Sequence, residues 1–88
     1  MEITFDPKKN ADNIRDRQLP FDDVAKLNWS SAVIVEDVRH SYGERRFRVL
    51  GYIEDRLYAV VFTPRGDAVH VISFRKANSR EVKLWLNQ

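Results

Sequence analysis

The segment Val60–Ala77 constrains the fold more than any other part of the chain, because it contains two apolar runs separated by a short turn sequence. The sequence Pro64-Arg65-Gly66 between the runs is typical of a three-residue hairpin loop, in which proline favours a type I turn and glycine supplies the left-handed position. Such a loop fixes the register of two antiparallel strands. It also predicts that Arg65 points outward from the turn, with Arg75 at the far end of the hairpin.

Apolar runs elsewhere in the chain predict further strands and helices around this hairpin. The segment 56–63 contains the run L-Y-A-V-V-F, which is apolar on both faces and is therefore expected at the centre of a sheet. Asp6-Pro7 is typical of a helix start, with aspartate as the cap and proline at the first helical position. The predicted strands are 2–6, 31–38, 45–53, 56–63 and 68–75, and the predicted helices are 7–17, 20–27 and 80–87.

This order of elements predicts an α+β fold with an antiparallel meander sheet, two N-terminal helices and one C-terminal helix. A chain of 88 residues is expected to form one domain, residues 1–88. It contains no cysteine, so disulfides and thiolate metal sites are excluded. The first residues lack the pattern of a secretory signal, and no apolar run approaches the roughly twenty residues of a membrane helix. We therefore expect a cytoplasmic protein without a membrane partner.

The charges are divided unevenly along the chain. Residues 1–38 carry five basic and eight acidic side chains, whereas residues 39–88 carry ten basic and five acidic ones. Eight of the ten basic residues in the second part are arginines, whose planar donor groups suit phosphate. This composition favours a polyanion or an acidic partner as the ligand. A solvated basic surface with no ligand explains the composition equally well.

Five sequence segments, in their order and spacing, resemble a known family. They are F-D-P-x-K at 5–9, F-D-D-V-A at 21–25, D-x-R-x-x-Y-G-E-x-R at 37–46, R-x-x-x-V-V-F-T-x-R-G at 56–66 and V-I-S-x-R-x-A at 71–77. Together they cover essentially the whole chain. On these segments the chain resembles the BrnT toxins, which share the compact RelE-like fold of bacterial ribonuclease toxins.

The resemblance implies an activity and a set of partners. BrnT-like proteins are toxins of type II toxin–antitoxin pairs, and they act as metal-independent endoribonucleases that cut RNA and stop translation. A BrnA-like antitoxin with a ribbon-helix-helix end neutralises the toxin, and the complex contacts operator DNA only through the antitoxin. No cofactor is expected. The presence of only two histidines and no cysteine also makes a zinc site improbable, so we predict no metal site.

RNA cleavage without a metal needs cations that stabilise the doubly charged phosphorane, and a group that takes the proton of the 2′-hydroxyl. Arg65 and Arg75 are the first candidates for holding the phosphate. The alternative for Arg65 is that it is an exposed turn residue with no function. For Arg75 the alternative is a structural ion pair with Glu81.

A second group of candidates lies along one strand. Arg46, Arg48 and Tyr52 share one face of the predicted strand 45–53, an arrangement that suits an RNA backbone with a base stacked on the aromatic ring. Any half-solvated sheet shows the same alternation, which is the other interpretation. Lys76 is a further candidate for RNA binding, or only a solubilising charge.

The proton-transfer group is less clearly marked, because arginine cannot lose its proton at useful pH. Glu44 and His40 are the residues we select, with His40 in a polar loop. His70, Glu81 and Tyr42 are other candidates, and the apolar neighbours of His70 are more typical of a packed strand residue.

Two other functions use the same residues. In the first, the chain is a non-catalytic RNA-binding protein. In the second, it is a module whose basic surface docks an acidic antitoxin-like peptide. Cleavage of RNA in the presence of EDTA separates an enzyme from the RNA-binding alternative. A downstream gene for a ribbon-helix-helix protein would favour the toxin over the docking module.

Overall fold

A computed structural model describes residues 1–88 and contains a five-stranded sheet with the strand order β1-β5-β4-β3-β2. The fold is of the α+β class. The strands are β1 (Glu2–Phe5), β2 (Val33–Asp37), β3 (Arg46–Ile53), β4 (Arg56–Arg65) and β5 (Ala68–Lys76). The helices are α1 (Pro7–Arg17), a 3₁₀ helix (Phe21–Lys26) and α2 (Ser79–Leu86). Neither α-helix is both long and apolar enough to cross a membrane.

The sheet is mixed, so the predicted antiparallel meander holds for only four of its five strands. Strands β2 to β5 do pair antiparallel in sequence order, and β4 lies at the centre as predicted. However, β1 adds to the free edge of β5 in the parallel direction, with Ile3 opposite Val69. A parallel pair needs a long connection, which α1, the 3₁₀ helix and the meander supply.

The hairpin loop between β4 and β5 is also shorter than predicted. Pro64 and Arg65 belong to β4, and Arg65 pairs with Ala68 across a two-residue turn. Gly66 occupies the first central position of this turn with φ +59°, which is the position that a type II′ turn reserves for glycine. Arg65 is therefore the last residue of a strand, and its backbone is held by the sheet.

The helix starts follow the sequence signals closely. The Asp6 carboxylate accepts a hydrogen bond from the Lys8 backbone N–H at 2.9 Å, and Pro7 is the first residue of α1. A capping box formed by Asn78 and Glu81 starts α2. The predicted helix 20–27 is instead a 3₁₀ helix of six residues.

One face of the sheet carries the core. The 3₁₀ helix packs against this face, and α1 contacts it at β5. The buried residues of this cluster are Phe21, Val24, Leu27, Val49, Val60, Val71 and Phe74. The opposite face is covered only in part by α2, so it retains an apolar groove of about 280 Å³ beside that helix.

Candidate active site

Two arginines and a glutamate meet where β3 begins and β4 ends. These strand ends are neighbours because Phe47 pairs with Phe62. Glu44 lies between the arginines: its Oε2 accepts a hydrogen bond from Arg46 Nε at 3.3 Å, and its Oε1 lies 3.8 Å from Arg65 Nη2. One carboxylate thus holds two guanidinium groups close together, which leaves a net positive charge at this point of the surface.

The arginine pair lies in a cleft of about 180 Å³ that we call the basic pocket. Its polar lining comes from the start of α1, from the loop before β3, and from β3, β4 and β5. The lining residues are Asp6, Lys9, Glu44, Arg46, Arg65, His70, Val71 and Ile72. Three cations and two carboxylates therefore face one small cavity, a charge balance that suits an anion.

The loop before β3 is anchored by a buried carboxylate. The Asp37 side chain is 3% exposed, and its Oδ1 and Oδ2 accept hydrogen bonds from Arg39 Nε at 2.9 Å and Arg39 Nη2 at 2.8 Å. Tyr42 also donates its hydroxyl to Asp37 at 3.1 Å. The hydrogen bonds from Arg39 hold the pKa of Asp37 far below its usual range. The Tyr42 ring then packs 4.1 Å from the Arg46 guanidinium carbon, so the loop orients one of the pocket's cations.

His70 extends the pocket from β5. Its Nδ1 lies 2.8 Å from the Thr4 hydroxyl, on the residue that pairs with it across β1 and β5. Burial lowers the pKa of His70, and the nearby charge of Arg65 lowers it further. Sequence reasoning favoured a packed strand residue at this position. Arg65 pairs with Ala68, and His70 follows Ala68 by two residues on β5. Side chains two residues apart on a strand share a face, so His70 lies on the same face as Arg65.

Arg75 occupies a different part of the molecule. Its Nη1 and Nη2 donate to Glu81 Oε1 and Oε2 at 2.8 and 2.9 Å, the ion pair that the sequence raised as the alternative. This contact raises the pKa of Arg75 and lowers that of Glu81. Arg75 and Arg48 both line the apolar groove beside α2 and do not line the basic pocket.

The other predicted residues also lie outside the basic pocket. His40 packs its ring 5.7 Å from that of Tyr42, and it shares with Glu44 a shallow neighbouring cleft. Tyr52 packs edge-on against Trp85 of α2 at 4.9 Å. Lys76 lines a separate cleft near the end of α1. The structure thus brings Glu44, Arg46 and Arg65 together in the basic pocket, which none of the other predicted residues lines.

Comparison with known protein families shows to which family this chain belongs. The family described as "Ribonuclease toxin, BrnT, of type II toxin-antitoxin system" matches residues 5–81. The chain belongs to the BrnT family. Membership makes it a ribonuclease toxin with RNA as its target and an antitoxin protein as its partner. A search of curated proteins finds no match.

The two arginines predicted to hold a phosphate differ in how available their side chains are to a ligand. Arg75 donates two short hydrogen bonds to one carboxylate, so binding a phosphate there first requires breaking a bidentate ion pair. Arg65 is held only loosely, at 3.8 Å from Glu44, and its side chain is 58% exposed. Of these two arginines, Arg65 in the basic pocket is therefore the one more available to a phosphate.

Proposed function

We propose that this BrnT chain is a metal-independent endoribonuclease, built on a RelE-like fold, that cuts RNA in the cytoplasm and so inhibits translation. The observation that carries the proposal is the pair of guanidinium groups that Glu44 holds together in the basic pocket, with Lys9 and His70 in the same cleft. Side-chain cations in this arrangement supply the positive charge that a metal supplies in other nucleases.

The reaction follows from the chemistry of RNA. The 2′ oxygen bonds to the adjacent phosphorus as its proton leaves to a base, and the bond between phosphorus and the 5′ oxygen breaks. The 5′ oxygen takes a proton from water, so the products are a 2′,3′-cyclic phosphate and a 5′-hydroxyl. The phosphorane between these states carries extra negative charge, which Arg46 and Arg65 are placed to stabilise.

Incubation of the purified protein with RNA in excess EDTA tests this function. We expect new RNA ends that carry a 2′,3′-cyclic phosphate, at a rate that EDTA does not change. An Arg65→Ala protein purified in the same way controls for contaminating ribonucleases. RNA binding without new ends would instead favour the non-catalytic alternative, and loss of cleavage in EDTA would show that a metal is required.

We also propose that the antitoxin partner is a BrnA-like ribbon-helix-helix protein, through which the complex contacts operator DNA. The groove beside α2 is the surface that suits a segment of this antitoxin. Val35, Val61 and Leu84 make it apolar, which favours a peptide over a phosphate backbone. Arg48 also lines the groove, is exposed and makes no ion pair within the chain. An acidic side chain of the partner would therefore complement it.

A charge placed in the groove should weaken the antitoxin complex. Leu84 lines the groove and is 63% exposed, so Leu84→Asp should fold normally and lower the affinity for the antitoxin at least tenfold. Leu86→Asp is the matched control, because Leu86 lies on the same helix, is 66% exposed and does not line the groove. Copurification and calorimetric titration with the antitoxin encoded beside the toxin measure the effect. Equal loss in both variants would contradict the assignment of the groove.

A further inference from the structure

His70 is the one titratable side chain of the basic pocket that is neither a permanent cation nor a carboxylate. Thr4 fixes the imidazole ring through Nδ1 at 2.8 Å, and the other ring nitrogen, Nε2, has no hydrogen-bond partner. The ring lines the same cleft as Arg46 and Arg65. A histidine with one nitrogen fixed and the other free is arranged to exchange a proton with a bound molecule.

We propose that His70 Nε2 is the general base that removes the proton from the attacking 2′-hydroxyl. The inference rests on the proposed ribonuclease function and supplies the proton acceptor that the function needs. The lone pair of Nε2 takes the 2′ proton as the 2′ oxygen bonds to phosphorus, and the 5′ oxygen leaves with a proton from water. The imidazolium then returns its proton to solvent.

The other candidates for the base are engaged elsewhere. Glu44 accepts a hydrogen bond from Arg46 through Oε2, and its Oε1 lies 3.8 Å from Arg65 Nη2, so both of its oxygens face guanidinium groups. Tyr42 donates its hydroxyl to Asp37, and Glu81 accepts two hydrogen bonds from Arg75.

The surroundings keep the His70 ring neutral near pH 7. Burial and the cations Arg65 and Lys9 lower the pKa of His70, whereas the carboxylates Glu44 and Asp6 raise it by less. Arg46 also lines the pocket from β3. A base must be unprotonated to act, so cleavage should fall as the pH drops through the pKa of His70. The midpoint of that fall is expected below the ordinary histidine value of about 6.5.

The variant His70→Gln tests the proposal. We expect kcat to fall about 100-fold and the acid limb of the pH–rate profile to disappear. Binding of a 2′-deoxy RNA analogue, which cannot react, should remain within about twofold of wild type and shows that the pocket is intact. His40→Gln tests the rival candidate, and a loss of kcat there as large as in His70→Gln would overturn the proposal.

The pH–rate profile of Lys9→Met distinguishes a general base from a purely structural role for His70. Removal of this cation should raise the pKa of His70 and shift the acid limb to higher pH. An unshifted acid limb, or full activity in His70→Gln, would overturn the proposal while wild-type cleavage continued to support the ribonuclease function. No cleavage by the wild-type protein would instead refute the ribonuclease function itself.

Discussion

Arg65→Ala should lower the rate of RNA cleavage by about 100- to 1,000-fold, the cost typical of removing one group that stabilises an anionic transition state. Arg65 is the last residue of β4, and the sheet holds its backbone while the guanidinium reaches into the basic pocket. Its side chain is exposed and makes only the long contact with Glu44, so its loss should leave the fold and its stability nearly unchanged.

The control for this variant is Arg56→Ala. Arg56 is an exposed arginine at the opposite end of the same strand, and it lines none of the clefts described above. Its removal changes the net charge by the same amount, so any general effect of charge on RNA binding appears in both variants. Cleavage of a short RNA with a single scissile site, together with a thermal melt, measures both effects. Equal rates for the Arg65 and Arg56 variants would refute the phosphate role of Arg65.

Arg65→Lys and Arg75→Ala sharpen the same experiment. Lysine keeps the charge but loses the planar donor pair, so Arg65→Lys should recover only part of the rate. Arg75→Ala should reduce cleavage much less than Arg65→Ala, because Arg75 is paired with Glu81 outside the basic pocket. The opposite ranking would move the phosphate site to the groove beside α2.

The strands were predictable because local patterns define them. Alternation and hairpin spacing located β3, β4 and β5 to within two residues, and Asp6-Pro7 located the start of α1. The parallel pairing of β1 with β5 was not predictable, since it joins segments more than sixty residues apart and leaves no local signal. The hairpin turn was misjudged because glycine serves both a three-residue loop and a type II′ turn.

The candidate site also depends on long-range pairing that local sequence patterns do not predict. Glu44, Arg46 and Arg65 were each selected by residue type and family resemblance, yet only the register of β3 on β4 places them around one cavity. His70 was judged by its apolar neighbours in the sequence. In a strand those neighbours point to the opposite face, so the relevant neighbour was Thr4 on a distant strand.

Asn13 is a residue whose importance no sequence pattern indicated, and Asn13→Ala should destabilise the protein by about 2–4 kcal/mol. Asn13 lies in the middle of α1, and the residue is 6% exposed. Its Nδ2 donates to the carbonyl oxygens of Leu19 at 2.8 Å and of Phe74 at 3.0 Å, so it ties the end of α1 to β5. Alanine leaves both carbonyls without this donor, and each buried unpaired group costs about 1–3 kcal/mol.

Two further variants separate the lost hydrogen bonds from the lost volume. Asn13→Asp keeps the size of the side chain but places a carboxylate against two carbonyl oxygens, so we expect it to be at least as destabilising as Asn13→Ala. Asn87→Ala removes an exposed asparagine at the end of α2 and should change the free energy of unfolding by less than about 0.5 kcal/mol. Urea denaturation measures all three, and for a domain of this size the expected loss in Asn13→Ala lowers the melting temperature by roughly 10–20 °C. An Asn13→Asp protein as stable as wild type would show that these hydrogen bonds do not hold α1 on the sheet.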